Sequence, residues 1–245
     1  GVMNTDNVTI SGEGIDYGPC AFMDRFDPAT VFSSIDHAGR YAYGNQPRIT
    51  TWNLARLAET LVSLVDDDFD VAAEALTCAL NEFDDRYRSH WLTGMRAKLG
   101  IVVAQQSDGD FFDELLSLMQ TEHLDYTSTF RSLATLLRDQ AAEPVFGAEN
   151  LIAAHWVTRW RARLDAQGTD VGQVADSMDA VNPAYIPRNH LVDQALAAAT
   201  EGDLTRFEEL LGVVTDPFIE RSGLERFAEP APDGFEKGFR TFCGT

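Results

Sequence analysis

Gly1-Val2-Met3-Asn4-Thr5-Asp6-Asn7-Val8-Thr9-Ile10-Ser11-Gly12-Glu13-Gly14-Ile15-Asp16-Tyr17-Gly18-Pro19 is the stretch on which the fold turns. Val8-Thr9-Ile10 and Ile15-Asp16-Tyr17 have the pattern of two short strands, with Ser11-Gly12-Glu13-Gly14 as the turn between them. Glycine at two of these four turn positions supplies the positive φ values that a tight hairpin requires. Pairing Ile10 with Ile15 sets Thr9 opposite Asp16. Side chains alternate faces along a strand, so Asn7 falls on the face shared by Thr9 and Asp16. Diagonal neighbours of this kind lie about 7–8 Å apart, within reach of one shared ion. Asp6, one residue earlier, points elsewhere if the chain stays extended. An amide and a carboxylate on one face suit Mg²⁺, which takes oxygen ligands and completes its shell with water and substrate phosphates. The plain alternative is a surface hairpin whose Asp and Asn residues only make turns.

The letters favour the metal. Protein kinases carry H-R-D-x-x-x-x-N followed by D-F-G, with the Asn and the second Asp holding the metal ions. Asn7 matches that Asn, and Asp16-Tyr17-Gly18 matches D-F-G. The position of the kinase catalytic Asp is Val2, which cannot accept a proton.

A longer set of motifs runs Gly1 to Asn7, Ile15-Asp16-Tyr17-Gly18-Pro19 and Phe22-Met23-Asp24, then Asp36-His37, Gly39-Arg40-Tyr41, Asn45-Gln46-Pro47, Trp52-Asn53-Leu54 and Arg56-Leu57. With Asn182-Pro183, Arg188-Asn189 and the C-terminal Cys243, it resembles the selenoprotein O family of pseudokinases along essentially the whole chain. The resemblance implies a kinase-like fold that binds ATP turned around and transfers AMP to protein Ser, Thr or Tyr hydroxyls. It implies Asn7 and Asp16 as ligands of Mg²⁺ or Mn²⁺ and of the nucleotide they hold, and Asp6 as acceptor of the attacking hydroxyl's proton. Cys243 matches the position where the family carries selenocysteine or cysteine. The partner cysteine common in the family has no counterpart in Val31-Phe32-Ser33, so Cys20 is the nearby substitute and a Cys20–Cys243 redox pair is the resulting expectation.

The same resemblance exposes a departure. A kinase-like enzyme needs a glycine-rich loop, a strand lysine and its glutamate partner upstream of the catalytic loop. No such context occurs from Gly1 onward, so the expectation is the C-terminal portion of a longer protein, holding half of an active site and inactive alone.

With 245 residues there is material for one large or two smaller domains. A net charge of −20, from 39 acidic and 19 basic residues, argues against nucleic acid and anionic membranes as partners. No apolar run approaches the roughly 20 residues of a membrane-spanning helix. Three cysteines, Cys20, Cys78 and Cys243, are too few and scattered for a disulfide scaffold or a zinc site, and Cys78 reads as a small buried apolar residue.

Residues 20–47 lack a period and are punctuated by Asp27-Pro28, Gly39, Gly44 and Gln46-Pro47. Within them Asp36, His37 and Arg40 either contact substrate or order the loop. From Arg48 the pattern turns helical, ending first at Asp66-Asp67-Asp68, which reads as solvated carboxylates near the next helix start. Further helices are expected over 70–89, 90–103, about 111–119, 124–140, 149–166, 169–180 and 189–212, with Ser107-Asp108-Gly109-Asp110 as turn and N-cap. Trp156 and Trp160 read as core residues, with Arg159, Arg161 and Arg163 forming an exposed basic side. Asn182, Arg188 and Asn189 read as structural.

The expected fold is therefore mainly α (α+β overall): a kinase-like C-lobe with a small β-hairpin and a C-terminal helical extension. Its expected segments are 1–47 for the metal-binding hairpin and activation-segment-like loop, 48–216 for the helical body, and 217–245 for the tail. The expected function is a metal-dependent protein AMP-transferase. A silent helical interaction domain, or γ-phosphoryl transfer with Asp6 as a displaced base, are the alternatives.

Overall fold

Apolar residues at three- and four-residue intervals from Trp52 onward fall in helix α1, Gln46–Val65, with Pro47 in its first turn; α1 buries Ile49, Asn53 and Ala58 while Trp52 stays exposed. A computed structural model describes residues 1–13, 15, 21–139, 146–147 and 150–242 of the chain. Among them α1 is followed by α2 (Phe69–Asn81), α3 (Phe83–Lys98), α4 (Asp108–Thr121), α5 (Tyr126–Arg138), α6 (Leu151–Ala166), α7 (Val171–Asp179), α8 (Asn189–Thr200), α9 (Thr205–Val214) and the short α10 (Phe235–Gly238). The protein is mainly helical, as its periodicity implies.

The chain divides into two compact units: Gly1–Ala21 with Pro28–Trp91 and Arg240–Thr245, and Phe22–Asp27 with Leu92–Phe239. In the first unit α2 packs along α1. Asp68 caps α2, its carboxylate accepting from the N–H groups of Asp70 (2.9 Å) and Val71 (3.3 Å); the Asp66–Asp68 run is exposed, as expected, and in addition supplies this cap. Cys78 departs from expectation: it is exposed and a free thiol. Only one face of α2 is covered, with Ala72 as its buried residue, and Cys78 lies off that face.

The expected hairpin is also not seen; no strand forms among the described residues. Thr5–Asn7 winds into a 3₁₀ turn, closed by the Asn7 N–H on Asn4 O at 3.0 Å. Beyond it, side chains compete with any ladder. Thr9 Oγ1 donates to Glu13 O (2.9 Å) and accepts from Glu13 N–H (3.1 Å), while Ser11 Oγ donates to Glu13 Oε2 (2.8 Å). Glu13 O also accepts the Thr9 N–H at 3.4 Å, so short polar side chains and backbone close a local turn here, while Asp16 and Tyr17 of the expected second strand lie outside the described residues.

The second unit has the larger core. Trp156 and Trp160 are fully buried, with Trp156 stacked on Phe111 at 4.8 Å and on Trp160 at 6.2 Å. Both indoles are satisfied by backbone carbonyls, Trp156 by Phe111 O (3.0 Å) and Trp160 by Leu99 O (2.9 Å), as buried N–H groups require. The expected exposed basic side is instead tied into the fold: Arg159 pairs with Glu114, Arg161 donates to Leu136 O, and Arg163 pairs with Asp108. Asp108, expected as part of the turn and N-cap, is the first residue of α4. It is 1% exposed and lies between Arg96 (2.5 Å) and Arg163 (2.7 Å). Gly100, at φ +67°, ends the turn after α3. A β-carbon there would stand 2.5 Å from Val174 Cγ1, so both conformation and space require glycine.

Two helix boundaries move. The break expected after residue 89 falls at Glu82, where no glycine or proline marks it. The single helix expected over 189–212 is α8 and α9, separated where Gly202 takes φ +90° and Asp203 Oδ1 accepts from the Thr205 N–H at 2.9 Å. That turn lets α8 and α9 fold back and enclose Ala195, Leu210 and Val213 with Tyr185 and Phe227.

Candidate functional site

The loop carrying Asp6 and Asn7 is built from the first unit alone. A 3₁₀ turn advances about 120° per residue, so neighbouring side chains diverge. Asp6 is exposed while Asn7 is 8% exposed. Their separation thus arises from a turn and not from strand alternation. Asn7 Nδ2 donates to Val2 O at 3.1 Å, which fixes the plane of the amide.

Two struts hold this loop. The Tyr41 hydroxyl donates to Asn4 Oδ1, and Asn53 Nδ2, from the buried face of α1, donates to Met3 O at 2.9 Å. Tyr41 is itself positioned by Asp36, whose carboxylate accepts the backbone N–H groups of Arg40 and Tyr41, both at 2.8 Å. Of the two roles open to Asp36, the structure shows loop ordering. Residues 28–45 are pinned further by Tyr43 N–H on Thr30 O (2.9 Å), Gly44 N–H on Pro28 O (2.8 Å) and Asn45 Nδ2 on Gly39 O (2.7 Å). His37 is exposed. Neither Tyr41 nor Asn53 carries a role by sequence alone; each is visible only as part of a longer motif.

Asp16, Cys20 and Cys243 lie outside the described residues. Among the described residues no three His, Cys, Asp or Glu side chains form a group able to hold a metal ion. The donor set named from the sequence, one amide oxygen and one carboxylate, nevertheless suits a hard cation that retains water and phosphate ligands. The anchored amide of Asn7 fits that use.

The second unit holds the other motif residues. Arg188 is fully buried and donates to Asp24 (2.6 Å), to Asp125 (2.5 and 3.1 Å) and to Ala228 O (2.7 Å). Asn182 receives Lys98 Nζ on its Oδ1 (3.1 Å) and donates Nδ2 to Lys98 O (2.8 Å). Burial pushes the Lys98 amine below its ordinary pKa. Asn189 bonds the Phe22 backbone at both N–H (2.8 Å) and C=O (2.7 Å). These residues organise the helical unit.

The sequence model of the family described as protein adenylyltransferase SelO matches residues 1–215. This chain belongs to the SelO family. Among SelO-type relatives named protein nucleotidyltransferase YdiU, that of Cereibacter sphaeroides is 54% identical over 246 residues, covering 100% of this chain and 50% of the relative. That of Rhodococcus jostii is 53% identical over 248 residues (100% and 48%), and that of Mycolicibacterium paratuberculosis 54% over 252 (100% and 50%). The chain spans about half the length of the curated SelO relatives it matches. Among its described residues no helix is long and apolar enough to cross a membrane.

Proposed function

We propose that this chain is the part of a metal-dependent protein AMP-transferase that carries its proton acceptor and metal ligands, on a kinase-like C-lobe extended by further helices. The observation that carries the proposal is the Asp6–Asn7 pair. Asn7 is buried with its amide nitrogen tethered to Val2 O, while the adjoining Asp6 carboxylate stays exposed, on a loop gripped by Tyr41 and Asn53. Membership of the SelO family supports the reaction class.

Mg²⁺ or Mn²⁺ held by Asn7 and Asp16 would offset the negative charge of the ATP phosphates. Asp6 accepts the proton of the Ser, Thr or Tyr hydroxyl on the protein substrate. The freed oxygen bonds to the α-phosphorus as the bond to pyrophosphate breaks, leaving AMP on the substrate. Asn7 keeps its amide orientation through Val2 O, and Tyr41 and Asn53 hold the backbone that positions Asp6. Because the relatives are about twice this length, ATP binding and transfer belong to the full-length protein, and residues 1–245 alone bind ATP weakly and transfer no AMP. Cys20 and Cys243 form a redox pair; intact mass under oxidant with peptide mapping would show both thiols free if they do not.

Asp16→Ala tests the assignment. In the full-length protein it abolishes Mg²⁺-dependent ATP binding measured by calorimetry. Unchanged binding would instead leave a helical interaction domain that keeps the motif for its fold.

A further inference from the structure

Beside the Asp6 loop, within the same unit, lies a pocket of about 250 Å³ walled by Gly39, Arg40, Arg48, Ile49 and Trp52. Its charge is opposite to that of the chain as a whole. Acidic residues outnumber basic ones by 39 to 19, yet among the described residues no carboxylate lines this pocket. Neither Arg40 nor Arg48 has an ion-pair partner among the described residues, whereas the adjacent Arg56 is held by Glu59 at 2.6 Å.

Arg40 is pre-organised. Its guanidinium lies 4.9 Å over the Trp52 ring and 5.6 Å over the Tyr41 ring. Stacking a guanidinium on an aromatic face fixes its plane and leaves the N–H edge for a ligand, the geometry that binds an oxyanion through two hydrogen bonds. A volume of about 250 Å³ accommodates one acidic side chain.

The position specifies the ligand further. Tyr41, next to Arg40, bonds Asn4; Asn53, next to Trp52, bonds Met3. The residues flanking the pocket walls are thus the struts of the loop that presents Asp6. We propose that this pocket receives an acidic side chain, Asp or Glu, of the polypeptide being modified, and so selects hydroxyls with a carboxylate nearby. The proposal rests on the reading above that the substrate is a protein.

The test uses the full-length protein, without ATP, and a fluorescent peptide bearing one serine flanked by glutamates, beside its Glu→Gln counterpart. Anisotropy titration is expected to show about tenfold tighter binding of the acidic peptide, weakening with salt. The Arg40→Gln/Arg48→Gln double variant is expected to bind both peptides equally while unfolding at the wild-type temperature, since both side chains are exposed. Equal binding of the two peptides by the wild-type protein, or a preference that survives in the double variant, would overturn the proposal. Preferential binding without AMP transfer to the serine would keep the pocket and remove the proposed reaction.

Discussion

The Tyr41 hydroxyl donates to Asn4 Oδ1 across 37 residues of chain, tying the segment ordered by Asp36 to the loop that presents Asp6. This bond holds the loop backbone at Asn4, two residues before Asp6. Tyr41→Phe removes it and leaves the ring over which Arg40 stacks. In the full-length protein kcat for AMP transfer should fall about tenfold, the expected loss of one oriented hydrogen bond, with the KM for ATP little changed. A fall in thermal stability that accounts for all of the lost activity would assign Tyr41 to the fold alone.

Asp6 and Asn7 should fail in different ways. Asp6→Asn keeps shape and polarity but cannot accept a proton, so kcat should drop by about 10²–10⁴ with ATP binding retained. Asn7→Ala removes the anchored amide and should raise the Mg²⁺ concentration needed for half-maximal ATP binding. Equal effects of both variants on binding and turnover would contradict the division of roles.

Arg188 is the strongest test of the second unit. Arg188→Met leaves Asp24 and Asp125 in place, both buried or nearly so, without their shared cation. The expected loss is about 3–5 kcal/mol by urea denaturation, because an uncompensated buried charge costs more than the pair contributes. A loss below about 1 kcal/mol would show that solvent reaches the carboxylates.

Burial opposes the charge of Asp108, but hydrogen bonds from Arg96 and the Gln105 N–H, with the paired charge of Arg163, outweigh it and hold its carboxyl below the usual carboxylate range. A carboxylate with a depressed folded-state pKa binds fewer protons when folded. Its contribution is complete above the unfolded-state value of about 4 and is lost as pH falls through the folded-state value. The urea midpoint should therefore decline below about pH 4, and Asp108→Asn should flatten that slope. An unchanged slope in the variant would place the acid sensitivity elsewhere.

Much of the helical body is legible because its signals are local. Trp156 and Trp160, four residues apart, mark one helix face, and Pro47, Asp68 and Gly100 mark ends with definite backbone chemistry. What escapes is set by distant partners. Asp108 reads as a turn residue until Arg163, on α6, is brought to it. The break at Glu82 has no breaker residue, and Cys78 is exposed because only one side of α2 is covered. The expected hairpin is not seen among the described residues, where Thr9, Ser11 and Glu13 close a local turn that strand patterning does not anticipate. In the candidate site Asp6 and Asn7 stand out by motif, whereas the struts from Tyr41 and Asn53 emerge only when residues 28–53 fold around them.

The most direct test of AMP transfer supplies the full-length protein, Mg²⁺ and a general protein substrate with ATP labelled at the α-phosphate in one reaction and at the γ-phosphate in another. Label is expected on the substrate from the α position only, and none in the Asp6→Asn variant. Label arriving from the γ position alone would make the protein a kinase with a displaced base and contradict the proposed reaction.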